Sequence, residues 1–357
     1  MNNTISPFTT TPGIAGPAYI NTHCADEIID NFESNYSTQY VYKILGLRGS
    51  GKSVEYKRIM DHFDKMDNWK VYGISSGGSP TQTLLSALSR ETEVNSLVRS
   101  SETIISGSIE GNVIIANGSS TMSQKDISIP DSRFFSEEDE LLRMCKEICE
   151  KGIRILIGID DIAYSDSMVE FLSIIGKLIL DHNIELRLIT TGLEKNIEQF
   201  IEVPHLSFFA RPKPYIITSL NLNEITRMYQ KLLGISTTDA RKLADISKGY
   251  AWGYQLLGDE YYCRGENDSL DTVLNNFDMR MASTYDLIWN SLTSSEKEFV
   301  KVVLDSDTGS RAEIEPLING YSQHRQSLKK KHILDTSKNG YVKINLPRLK
   351  EYIEAEW

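Results

Sequence analysis

Gly46-Leu47-Arg48-Gly49-Ser50-Gly51-Lys52-Ser53 fills every position of the pattern G-x-x-x-x-G-K-[ST]. Glycines let backbone N–H groups converge on phosphate oxygens that a Cβ would keep away. Lys52 brings a point charge for the β and γ phosphates of a nucleotide, and Ser53 a hydroxyl for Mg²⁺. Upstream, Tyr40-Val41-Tyr42-Lys43-Ile44-Leu45 is a compact β-rich run. Downstream, Val54, Ile59, Met60 and Phe63 recur at helical spacing. Strand, glycine loop and helix is the setting that a phosphate-binding loop requires, with the positive end of the helix facing the anion. The expected contact set is Gly46, Arg48, Gly49, Ser50, Gly51, Lys52, Ser53 and Val54.

Outward from this loop the chain alternates. A strand fits 69–74, a helix 80–89, a helix 137–150, a helix 167–181 and a strand 184–190. Between them, Ile153-Arg154-Ile155-Leu156-Ile157-Gly158-Ile159 is a nearly unbroken apolar run, suited to a strand buried on both faces of a parallel sheet. The alternation predicts an α/β class with a doubly wound parallel sheet. The stretch 91–130 turns to Ser, Thr, Gly and Asn, with 103–106 and 112–115 able to pair as a hairpin.

Asp160-Asp161 follows the apolar run. An acid at the C-terminal end of a buried strand lies at the sheet edge where ligands bind. Asp160 is expected to hold Mg²⁺, with Ser53, and Asp161 to orient or deprotonate an attacking water. The bland alternative is that Asp161 or Asp166 caps the next helix. The following strand ends in Thr190-Thr191-Gly192; one hydroxyl is expected in the chemistry, and Thr190 is the candidate.

After Pro214 the texture becomes helical: 223–233, 236–248 and 253–263, with Thr237 or Thr238 as N-cap. A further unit begins near Thr284, with helices at 294–305, 311–319 and 322–331. Residues 333–336 and 341–345 then flank Asn339-Gly340, a type I′ hairpin signal. Three helices followed by a hairpin is the order of a winged helix. Its third helix is basic, and Arg325, Lys329 and Lys330 could meet DNA. The expected division is 1–217, arm and core; 218–283, helical lid; 284–357, winged helix.

The 357 residues carry a net charge of -11, so DNA contact would require a local patch working against the global field. With 40% hydrophobic and 24% charged residues, the composition is that of a soluble globular protein. No apolar run approaches the roughly 20 residues of a membrane span. The first 15 residues lack the basic start and apolar block of a signal peptide. A cytoplasmic protein is expected. Cys145 and Cys149 share a helix face, but no ligand pair accompanies them at metal spacing, and the four cysteines read as reduced thiols.

The whole chain resembles the origin-recognition-like and archaeal-type ATPases that bridge the AAA+ and STAND groups of P-loop NTPases. The likeness rests on Pro7-Phe8-Thr9 and Pro12-Gly13, Leu45 to Ser53, Ile159-Asp160-Asp161, Thr190-Thr191, Gly249 with Gln255-Leu256-Leu257-Gly258, and the C-terminal winged helix. The resemblance implies an ATPase core, a helical lid and nucleotide-dependent docking of the winged helix. It also implies that Arg211 serves a neighbouring subunit's nucleotide. Four positions depart from it: Thr22 and Gly192 stand where arginines are frequent, Ala251 where a lid proline is, and Asp161 where AAA+ enzymes carry glutamate. No arginine marks the second lid sensor. Together these imply a slow, switch-like ATPase with ATP/ADP and Mg²⁺ as ligands, acting by self-association or on a protein partner. The alternative is an ATP-dependent DNA-binding initiator-like protein.

Overall fold

The computed structural model describes residues 5–34, 36–94 and 136–356. The expected hairpin at 103–106 and 112–115 lies outside them. Five parallel strands form one sheet: β1 (Val41–Leu45), β2 (Trp69–Gly73), β3 (Arg154–Ile159), β4 (Leu186–Gly192) and β5 (Tyr215–Ile216), in the order β2-β3-β4-β1-β5. Ile159 pairs with Thr190, Ile44 with Thr191 and Leu45 with Gly192. That register brings the ends of β1, β3 and β4 level, so the glycine loop and the acidic pair share one sheet edge.

Helices cover both faces, which is why β3 is an apolar run: Ile155, Leu156 and Ile157 are fully buried. Each such side chain contributes about 1.5–3 kcal/mol by leaving water. On one face α1 (Cys24–Glu33) and α2 (Lys52–Phe63) pack Phe32, Ile59 and Phe63 against Trp69, Leu156 and Ile189. On the other lie α3 (Pro80–Leu88), α4 (Glu137–Cys149) and α5 (Asp166–Leu180). A Cβ at Gly158 would strike Met60 and Tyr56 of α2; glycine there lets the helix sit close to the sheet. The doubly wound α/β class is therefore the observed one. Cys145 is buried and Cys149 half-buried, both as free thiols. Among the described residues no cluster of acids, His or Cys could hold a metal ion by itself.

Short helices α6 (Glu194–Ile201) and α7 (Ser207–Ala210) lead to β5. Then come α8 (Leu222–Leu233), α9 (Thr237–Ser247), α10 (Ala251–Cys263) and α11 (Leu270–Asn290). The C-terminal part has α12 (Ser294–Asp305), α13 (Arg311–Ile314), α14 (Tyr321–Lys330), β6 (Leu334–Asp335), β7 (Lys343–Ile344) and α15 (Leu349–Glu356). One apolar cluster joins these halves, holding Tyr229 and Tyr254 together with Phe277, Trp289, Phe299 and Ile344.

Two sequence expectations need correction. Ser236, not Thr237 or Thr238, caps α9, accepting from the Asp239 amide. No type I′ turn forms at Asn339-Gly340, because only Gly340 has positive φ (77°) and the two-residue strands lie seven residues apart. Around residue 284, α11 runs unbroken for 21 residues, and Arg348 clamps Asp278 on this helix at 2.6–3.0 Å.

Candidate functional site

The glycine loop leaves β1 and turns into α2 with Gly49 at φ 77° and Gly51 at φ 102°, conformations that disfavour a Cβ. Lys52 opens α2 and is 9% exposed. Its Nζ donates to Gly46 O (3.1 Å) and Leu47 O (3.0 Å). Burial brings its pKa down to about 8 against the pull of Asp161. Ser53 Oγ donates to Asp160 Oδ1 at 3.2 Å, so the two expected Mg²⁺ ligands touch.

The next strand completes the site through a different threonine than expected. Thr191 Oγ1 donates to Asp160 Oδ1 and accepts from the Asp161 amide at 2.9 Å. Thr190 is fully buried, its hydroxyl without a hydrogen-bond partner among the described residues, and it does not line the cleft. Neighbouring side chains on a strand point to opposite faces, so only one of the pair can reach Asp160. Asp161 is exposed and has φ 51°; Ser76 Oγ donates to its carbonyl at 3.3 Å. The capping alternative is not observed: Ser165 caps α5, accepting from the Met168 amide.

The cleft above the loop has a volume of about 390 Å³, inside the range of small-molecule sites. Its far wall is the N-terminal arm, including Pro12, Tyr19 and Ile20, together with Trp252 and Gln255 of α10. Gln255 accepts from the Thr9 amide (2.9 Å) and donates to Ala18 O (3.1 Å). At Gly258 a Cβ would strike the Phe8 ring, so α10 and the arm are built as one wall. α10 also reaches the loop itself. Tyr250 Oη donates to Arg48 O at 2.6 Å and Trp252 N to Gly49 O at 3.0 Å. A Cβ at Gly49 would strike the Tyr250 hydroxyl.

No family profile and no curated protein matches the sequence. Solved structures do match. A Walker-type ATPase of Pyrococcus abyssi superposes with a TM-score of 0.60 at 12% identity, over 92% of this chain and 95% of that one. The ORC2 protein of Aeropyrum pernix, in its ADPNP-ADP complexes, superposes with a TM-score of 0.52 at 14% identity, over 99% of this chain and 96% of that one. The chain has the fold of the archaeal origin-recognition and Walker-type ATPases.

Within this fold, the C-terminal unit sits against the core beside the cleft. Lys330 at the end of α14 meets Glu198 of α6 at 2.7 Å. Asn345 Nδ2 donates to Ser219 Oγ at 3.3 Å. His332 Nε2 lies 3.1 Å from Glu194 Oε2, yet it makes no hydrogen bond among the described residues, so the approach is off-axis. Burial and then the nearby Lys52 charge push the His332 pKa down. Burial, reinforced by Glu198, pushes the Glu194 carboxyl up, against Lys330 and Lys329. His332, Tyr250 and Trp252 were not singled out from sequence. Tyr250 follows Gly249, which carries the resemblance without pointing to a contact of its neighbour, and His332 follows Lys331 outside any motif.

The remaining candidates lie apart. Arg211 is exposed at the end of α7 and does not line the cleft. Lys43 underpins that helix: 1% exposed, it donates to Phe209 O (2.6 Å) and Ala210 O (3.2 Å). Arg325 is half-buried and Lys329 exposed on α14. Among the described residues no helix is long and apolar enough to cross a membrane.

Proposed function

We propose that this cleft binds ATP with Mg²⁺, that hydrolysis is slow, and that the nucleotide state sets how lid and winged helix sit on the core, controlling a protein partner or self-assembly. One observation carries the coupling: Tyr250 and Trp252 hydrogen-bond to the carbonyls of Arg48 and Gly49, so a phosphate that reshapes the loop also moves the lid. The residues fit the ligands. Gly49 and Gly51 open the cradle, Lys52 is the buried cation, and Ser53 with Asp160 forms a hydroxyl–carboxylate pair suited to Mg²⁺. Mg²⁺ would offset negative charge on the phosphates. In this reading the Asp161 carboxylate accepts the proton, while Thr191 holds its backbone amide. The domain division at 217 and 283, and a role for Arg211 in a neighbour's site, belong to the same proposal.

The matching Aeropyrum ORC2 protein was solved with ADPNP and ADP, which supports adenine nucleotide as the ligand class. The DNA-binding alternative has less support, since Lys330 is engaged by Glu198. The test is titration with ATP and MgATP. Lys52→Ala should weaken binding at least tenfold while the thermal transition persists. Asp161→Asn should keep binding and lose most turnover, because an amide cannot accept the proton. Unchanged ATP affinity in Lys52→Ala would remove the basis of the reading.

A further inference from the structure

At the opposite end of the sheet from the glycine loop, the starts of β1, β3 and β4 meet the chain leaving α1. A second cavity of about 240 Å³ lies there, lined by Ser34, Ser37, Tyr40, Arg154, Glu185 and Arg187 among others. Sheet register explains why two arginines converge. Leu156 of β3 pairs with Arg187 of β4, and Arg154 stands two residues earlier, on the same face.

Arg187 is 4% exposed. Its guanidinium lies 4.5 Å from the Tyr40 ring centroid. Nη1 donates to Leu186 O and Nη2 to Glu185 Oε2, both at a long 3.3 Å. Nε is buried with no partner among the described residues. Arg154 donates to Phe32 O at 3.3 Å and lies over Trp69; its charge works against that of Arg187. The carboxylate that Arg187 meets is Glu185, whose side chain is 53% exposed. Ser37 gives its proton to Asn31 Oδ1. Ser34 Oγ accepts from the Tyr36 amide, which leaves its proton able to donate.

A guanidinium does not lose its proton in a protein, so burial cannot be relieved by neutralisation. A buried charge with an unfilled donor is costly until an acceptor of opposite charge arrives. One water would accept from Nε but bring no negative charge to the buried guanidinium. The cavity has room for roughly eight water volumes at ~30 Å³ each. We propose that it is a binding site for a small oxyanion of the phosphate class, inorganic phosphate or a small phosphomonoester. Donors come from β4 (Arg187 Nε) and from the chain after α1 (Ser34 Oγ), and Arg154 of β3 adds positive charge. Groups on three separate elements match a ligand with more than two acceptor oxygens, which phosphate has and a carboxylate lacks, and guanidinium forks fit phosphate oxygens.

The glycine loop would also take phosphate, so the titration uses the full-length Lys52→Ala variant, which keeps the two sites distinguishable. Inorganic phosphate, glycerol 3-phosphate and succinate are each titrated at constant ionic strength, following melting temperature and heat of binding. Phosphate should raise the melting temperature saturably, more strongly than succinate at equal concentration. Comparison with glycerol 3-phosphate distinguishes the two sources: tighter binding of one identifies it, and either agrees with the site. Arg187→Gln should weaken binding at least tenfold and Ser34→Ala several-fold. Ser34 is half-buried, so its variant keeps the test alive where Arg187→Gln does not fold. A phosphate response absent from Lys52→Ala, or unchanged by Ser34→Ala, would mean that water fills the cavity and would overturn the proposal. A preference for succinate would overturn the phosphate assignment.

Discussion

At the scale of single residues, the two adjacent threonines give the sharpest contrast. Thr191 joins Asp160 to the Asp161 amide, whereas the Thr190 hydroxyl is buried without a partner. Thr191→Val should cost about 1–3 kcal/mol, since it removes a hydrogen bond to the half-buried Asp160 carboxylate and the acceptor of the Asp161 amide, and should depress turnover. Thr190→Val removes an orphaned hydroxyl and should be neutral or stabilising. Equal losses in chemical denaturation would contradict the contrast. Lys43 makes a pH prediction. Burial lowers its pKa to about 8 in the folded chain, while the unfolded chain keeps the ordinary lysine value near 10.5. Between those two values the unfolded state binds more protons, so stability should rise with pH across that window. The difference between wild type and Lys43→Met should therefore grow by about 1–3 kcal/mol from pH 8 to pH 10 in favour of wild type. A flat difference would mean that Lys43 is not held in a dry site.

At the scale of elements, much was legible because it is local. The glycine loop and the apolar run before Asp160 announce themselves within ten residues, and the strands around them follow by alternation. The choice between Thr190 and Thr191 was not legible, because the phase of a strand depends on which face each helix covers. Neither was the bridging role of α11: Asn, Asp and Thr are interspersed along it, and its buried set, Val273, Phe277, Met281, Tyr285, Ile288 and Trp289, means little until the lid and α15 are in place. Loop and lid contacts, being 202 residues apart for Tyr250 and Arg48, leave no local pattern either. Gly49 reads as a glycine for phosphate, yet its missing Cβ also admits Tyr250. Gly49→Ala should therefore destabilise, through both strained φ and the clash. Tyr250→Phe frees part of that space, so the double variant should lose less in melting temperature than the two single losses added together. Strict additivity would show that Tyr250 does not limit this position.

At the scale of the whole molecule, the question is what the basic end of α14 is for. Lys330 and the adjoining Lys331 are not a free face. Lys330 meets Glu198 at 2.7 Å, Lys331 meets Glu296 at 2.6 Å, and the adjoining His332 lies beside Glu194. The Lys330 pair is about half exposed, so alone it holds the unit only weakly. The shared core of lid and C-terminal helices carries the rest. Duplex DNA would have to compete with this docking and with a net charge of -11. Wild type is therefore expected to bind DNA no more tightly than about a micromolar at physiological salt, within the non-specific range. Glu198→Ala releases Lys330 without removing any basic group. It should loosen the winged helix, shift basal ATP turnover several-fold, and steepen the salt dependence of residual DNA binding by about one unit as a phosphate contact is gained. Lys330→Ala should shift turnover in the same direction while leaving that slope unchanged. The pair is distinguishable from a DNA-recognition surface by this asymmetry. Were α14 the DNA-reading element, wild type would bind duplex below a micromolar, Lys330→Ala would flatten the slope, and Glu198→Ala would leave both turnover and affinity as they were.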